Sequence, residues 1–173
     1  MNQNMQILAS SETQDWHTPS WVIEMVREVL GEIELDPASS VQANEAVKAK
    51  RFFDQATDGL RYCWHAETVF LNPPFGKSGN DSLAGIWIER MAKIYRAGCF
   101  REGIALTHTR SGYEWWEKLS REFPICMTRQ KIDFIPAAPR TKTSGSKTSQ
   151  TFFYFGKNLS VFSRVFSRIG RII

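Results

Sequence analysis

Thr68-Val69-Phe70-Leu71-Asn72-Pro73-Pro74-Phe75 is the stretch that decides the fold. Four residues with strand character run unbroken into a polar amide, two prolines and an aromatic ring. A short apolar run closed by a turn signal reads as a buried strand of a mostly parallel sheet. Each proline fixes its own φ and pushes the residue before it towards extended geometry. Asn72 is therefore held extended, with its side chain and the nearby Pro73 carbonyl converging at the strand's carboxyl end. Phe75 places a flat face beside them. Such a corner can simply end a strand, but its groups also suit a planar ring that carries an exocyclic amine.

Outward from this corner, strands and helices alternate. Thr18-Pro19 leads into SWVIEMVREVL, whose apolar residues fall at helical spacing and which stops at Gly31. Ile33-Glu34-Leu35 reads as a short strand closed by Asp36-Pro37, and SSVQANEAVKAK as the next helix. Arg51-Phe52-Phe53 is a second strand and Thr57–Leu60 a turn. Beyond the corner lie a polar loop, a helix over LAGIWIERMAKIYRAG, a strand at 103–107 and a helix over GYEWWEKLSREF. Residues 125–127 and 131–135 read as a strand pair or one bent strand, 136–150 as a loop, and 151–155 as a strand. The tail 160–173 alternates apolar and basic residues at helical spacing up to Gly170, as a terminal packing helix does. The pattern predicts an α/β fold with a mostly parallel sheet flanked by helices. The expected organisation is a flexible stretch at 1–14 and one domain over 15–173 that carries a small basic loop at 136–150.

Composition narrows the class. With 173 residues, 42% hydrophobic and 23% charged, the chain reads as a soluble globular protein. It has no apolar run long enough to span a bilayer and no basic-then-apolar leader at its start, which makes the cytoplasm the expected location. Three scattered cysteines and three isolated histidines have no metal-ligand spacing, so no metal is expected. The net charge of +4 is unevenly placed. Seven basic and no acidic residues follow Asp133, against fifteen basic and eighteen acidic up to it, a net of −3 there. Such asymmetry fits either a polyanion-binding surface or a solvated tail.

Ligands of parallel sheets bind at the strands' carboxyl ends, where the strand order reverses. Asp36, Asp58 and Asn72 each close an apolar segment, so they are expected on one rim. In order, WHTPSWVIEMV (16–26), ELDPASS (34–40), TDGL (57–60) and VFLNPPFG (69–76) resemble the S-adenosylmethionine-dependent DNA adenine-N6 methyltransferases, particularly the small phage-type enzymes. The resemblance implies a Rossmann-like methyltransferase fold and S-adenosylmethionine as cofactor. Thr18 and Pro19 look like the amino-terminal cofactor motif, with the threonine at the methionine carboxylate. Asp36, Pro37 and Ala38 resemble the first strand-end motif, and Asp58 the acid that bonds the cofactor's adenine amine. Asn72, Pro73, Pro74 and Phe75 resemble the catalytic motif, with Phe75 stacked on a target adenine flipped out of double-stranded DNA. A phage or prophage source, acting in a host's cytoplasm, is part of the same implication.

Two features depart from the family pattern. DPASS stands where relatives carry a glycine-rich turn, leaving Ser39 and Ser40 to expose backbone amides. The short span from Asp36 to Asp58 predicts a trimmed sheet and leaves the ribose-binding acid unassigned, with Asp54 as a candidate. Arg140, Lys142 and Lys147 are expected at DNA phosphates, and Lys77, with Ser78 and Asn80, beside the substrate. Trp16 is expected to line the site or to pack in the core, while Trp115 and Trp116 are expected to pack. Corners of this type also occur in enzymes that methylate adenine in RNA or a glutamine amide in protein. A DNA-binding relative with weak catalysis is the remaining alternative.

Overall fold

The computed structural model describes residues 16–136 and 148–173. Arg140, Lys142 and Lys147 lie outside them, as do residues 1–14. In chain order the elements are β1 (Trp16–His17), α1 (Ser20–Leu30), β2 (Leu35–Asp36), α2 (Val41–Val47), β3 (Arg51–Phe52), β4 (Ala66–Leu71), β5 (Lys77–Ser78), β6 (Asp81–Ser82) and α3 (Leu83–Arg96). They continue through β7 (Phe100–His108), α4 (Glu114–Glu122), β8 (Ile125–Thr128), β9 (Ile135–Pro136), β10 (Gln150–Phe155), α5 (Leu159–Phe166) and β11 (Gly170–Ile172).

Seven strands form one mixed sheet in the order β11-β8-β10-β7-β4-β2-β3. The β3-β2-β4-β7 half is parallel, and β10 enters antiparallel between β7 and β8. The central strands β4, β7 and β10 are buried on both faces over most of their length, which explains their near-continuous apolar sequences. Along β10, Phe152 and Tyr154 face the layer of α1 and α5, while Phe153 and Phe155 face that of α3 and α4. Phe70 and Ile104 join the first layer; Val69, Leu71 and Ala105 join the second. This period of two divides the core between two helical layers, giving the Rossmann-like α/β architecture.

The sheet stops at β3, and the chain returns from there to β4 through one turn of 3₁₀-helix at Gly59–Arg61. The expected trimming is thus real. Because β2 sends its successor β3 to one side and has β4 on the other, the strand order reverses between β2 and β4. Asp36 ends β2 and Asn72 directly follows β4, so both residues flank this switch point.

Long-range pairing departs from the sequence reading in two places. Residues 131–134 form no strand, and Ile135–Pro136 pair with Trp16–His17 instead. The tail is helical only to Phe166; Gly170–Ile172 then add an edge strand to β8. Gly170 permits that pairing, because a Cβ there would lie 2.3 Å from Cys126 Sγ and 2.5 Å from the Met127 carbonyl. Cys126 is buried, whereas Cys63 is exposed. Trp115 packs, as expected: a Cβ on Gly85 would lie 2.8 Å from its indole.

Candidate active site

Asn72 is the centre of the rim. Its Nδ2 donates to Thr18 Oγ1 at 3.1 Å, and both residues come from segments held extended by a following proline. This bond fixes the amide's orientation, and Oδ1 is buried with no partner among the described residues. A buried acceptor left unsatisfied costs about 1–3 kcal/mol and signals a strain reservoir or a ligand contact. Thr18 is itself 5% exposed. The sequence reading placed its hydroxyl at the cofactor carboxylate; the contact seen here is with Asn72. Thr18→Val is expected to lower turnover about tenfold while the fold persists, read as kcat in a methyl-transfer assay beside a thermal melt.

Phe75 is half-buried, and its ring stands 4.7 Å from the His108 ring and 6.1 Å from Phe134. His108 ends β7, the strand next to β4, and Phe134 lies just before β9. The sequence reading missed both. The available signal was a polar residue ending a buried strand, the same signal that singled out Asp36 and Asn72. Burial, helped by the nearby Arg110, lowers the His108 pKa and favours the neutral imidazole at neutral pH. The three rings form one aromatic cluster at the end of the Asn72 corner.

Asp36 forms the other half of the rim. It is 3% exposed, and burial raises its pKa to about 7. The Ala38 amide, 3.1 Å from Oδ1, opposes that rise. Its carboxylate has no cationic partner among the described ion pairs. A buried carboxylate of this kind fits a cationic ligand. Ser39 does not expose its amide as the sequence suggested, since that amide donates to the Phe53 carbonyl at 2.8 Å. Ser40 instead caps α2, accepting from the Ala43 amide at 3.0 Å.

Asp58 reaches the same rim through Gly59. A Cβ on Gly59 would lie 2.1 Å from the Pro37 carbonyl oxygen, so only glycine lets the TDGL turn seat against DPA. Gly59→Ala is expected to cost about 2 kcal/mol or more of stability, seen as a lowered midpoint in thermal unfolding. Asp58 takes φ 54, and its Oδ1 accepts from the Leu60 amide at 3.2 Å. Its Oδ2 lies 3.3 Å from Arg61 Nε, so this carboxylate already has local partners. Asp54 is engaged by Thr57, whose amide and hydroxyl donate to Oδ1 at 2.9 and 2.8 Å.

Lys77 and Ser78 stand in an exposed hairpin that turns at Gly79-Asn80, immediately beyond the corner. Trp16, in β1, holds the strand that leads to Thr18 beside β9. Among the described residues, no group of three or more His, Cys, Asp or Glu could hold a metal ion. None of their helices is long and apolar enough to cross a membrane.

The profile described as DNA N-6-adenine-methyltransferase (Dam) matches residues 6–169, nearly the whole chain. The chain belongs to this family. It is therefore a member of a family of methyltransferase enzymes, and the resemblance read from its four motifs holds. No curated protein matches its sequence. Among solved structures, PH1948 of Pyrococcus horikoshii, described as a candidate RNA methyltransferase, superposes with a TM-score of 0.52 at 12% identity. That match covers 83% of this chain and 85% of the other, and at such identity it speaks for the fold alone.

Proposed function

We propose that this family member methylates adenine N6 in double-stranded DNA, using S-adenosylmethionine, on a base flipped out of the duplex. The observation that carries this reading is Asn72: its Nδ2 is tied to Thr18, and its buried Oδ1 lacks a partner among the described residues. An adenine amine has two hydrogens to give, and its nitrogen lone pair is spread into the ring. Asn72 Oδ1 accepts one hydrogen and the Pro73 carbonyl the other, which favours a pyramidal nitrogen with its lone pair directed outward. No strong base is needed before attack, because the proton leaves the nitrogen after methylation. Positioning and fixed dipoles then supply the rate. Phe75 stacks on the extruded base, with His108 and Phe134 bracing its ring.

Asp36, Pro37, Ala38 and Asp58 would hold the cofactor along the reversal of strand order, with Thr18 and Pro19 at its edge. When bound, S-adenosylmethionine supplies a methyl group on a positively charged sulfur. The carboxylate of Asp36 balances that charge in a buried setting. Lys77 contacts the substrate backbone, and Arg140, Lys142 and Lys147 add phosphate contacts from the basic loop.

The test is incubation with radiolabelled cofactor and unmethylated duplex DNA, followed by digestion and nucleoside analysis. N6-methyladenine is expected. N4-methylcytosine would refute the base assignment. Label appearing only in RNA or in a protein glutamine would refute the substrate, and label in none of them would leave a DNA-binding relative.

A further inference from the structure

A cavity of about 330 Å³ opens between the start of α1 and the segment that leaves β8. Its walls include Trp21, Arg129, Lys131, Ile132, Arg168 and Ile169. Its size is near the lower end of small-ligand pockets, roughly 300–1,000 Å³. Trp21 is 47% exposed and shares the solvent-facing side of α1 with Glu24 and Glu28. Both terminal nitrogens of Arg129 donate to the Ser167 carbonyl, a neutral acceptor that leaves its charge uncompensated. Lys131 meets Asp133 at 3.6 Å, and Arg168 meets Glu28 at 2.8 Å. The three basic residues exceed their two acidic partners by one charge.

The cavity adjoins the candidate site from two directions. Trp21 follows Thr18, the Asn72 partner, by three residues. On the far wall, the Ile132 amide donates to Gln150 Oε1 at 2.6 Å. Gln150 Nε2 lies 3.5 Å from His108 Nδ1, and the His108 ring packs on Phe75. Residues 129–134 therefore line the cavity at one end and place Phe134 against the Phe75 ring at the other.

We infer that this cavity holds a nucleotide of the substrate strand that flanks the target adenine, its base against Trp21 and its phosphate against Arg129 and Lys131. The inference rests on the DNA methyl-transfer reading proposed above. An aromatic face beside a surplus of positive charge is the usual means of holding an unstacked nucleotide, because every base offers a π-face and every linkage a charge. Flipping the target base disturbs the stack on either side, and a second platform beside the aromatic cluster offsets that loss.

The test combines fluorescence anisotropy of a labelled, unmethylated duplex with steady-state methyl transfer on the same DNA. Trp21→Ala is expected to weaken DNA binding roughly tenfold, raising KM for DNA rather than lowering kcat. Trp21→Phe should recover most of the affinity, whereas Trp21→Leu, which keeps apolar bulk without a π-face, should not. Lys131→Gln should flatten the plot of log affinity against log salt by about 0.9. Equal affinity for Trp21→Leu and wild type, with wild type still methylating DNA, overturns this inference and leaves the activity standing. A wild-type protein that neither binds nor methylates DNA overturns both.

Discussion

Asn72→Ala is expected to reduce methyl transfer by at least ~10³, since loss of one preorganised polar contact to the reacting group costs about 10²–10³ and misplacement of the amine adds to it. The change removes the buried carboxamide oxygen that has no partner among the described residues and also releases the Thr18 hydroxyl. Cofactor affinity should stay within about threefold of wild type, because the Asp36 half of the rim is untouched. The fold should hold as well, for the substitution removes a buried acceptor that lacks a partner among the described residues. Steady-state kinetics, calorimetric titration with the demethylated cofactor and a thermal melt together check these outcomes. Near-wild-type turnover would refute the assigned role, and a collapsed melt would make Asn72 a structural residue.

Asp36→Asn carries the second large effect, and its two readouts move in opposite directions. Burial raises the Asp36 pKa in the folded protein to about 7, from 3.8. A raised folded pKa means that Asp36 disfavours folding only once it must ionise. Its contribution is intact below the unfolded value and is lost as pH rises through about 7. Three pH units correspond to an upper limit of about 4 kcal/mol, a figure that relaxation and water entry reduce. At pH 8 the asparagine variant should therefore melt several degrees higher than wild type, and at pH 5 the difference should shrink to less than half of that. A gain of the same size at both pH values would sink the burial account.

The same variant should lose most of its cofactor affinity, since the neutral amide no longer balances the cofactor's positive charge. Wild-type affinity should rise about tenfold per pH unit between pH 5 and the pKa, then level off, with a proton released on binding. Affinity independent of pH across this range would remove Asp36 from the cofactor site. A residue that weakens the free protein at its working pH is the expected signature of a carboxylate retained for its ligand.

The corner at Asn72 was legible in the sequence because proline acts on its nearest neighbours, so no distant partner was needed to predict its geometry. The α/β class, the buried strands and the trimmed edge were legible for a related reason. Periodicity and short spacing are local records of burial and chain length. The adjacency of Asp36 and Asn72 followed one step later, from the rule that a reversal of strand order opens a crevice.

Long-range pairing decided the rest. Nothing near Ile135 in the sequence announces that it pairs with His17, nor does Gly170 announce that it pairs with Thr128. His108 was set aside as an isolated histidine, yet the β4-β7 and β7-β10 ladders place it against Phe75 and near Gln150. Thr18 could be read only as part of a motif. Its hydrogen bond to Asn72 spans fifty-four residues and depends on where α1 meets the sheet. By itself, then, the sequence determined the chemistry of the corner and the class of fold, because dihedral restriction and hydrophobic period are properties of neighbouring residues. The tertiary structure alone decided which Asn72 atom is left to meet a ligand and which rings flank Phe75, because those depend on contacts between distant segments.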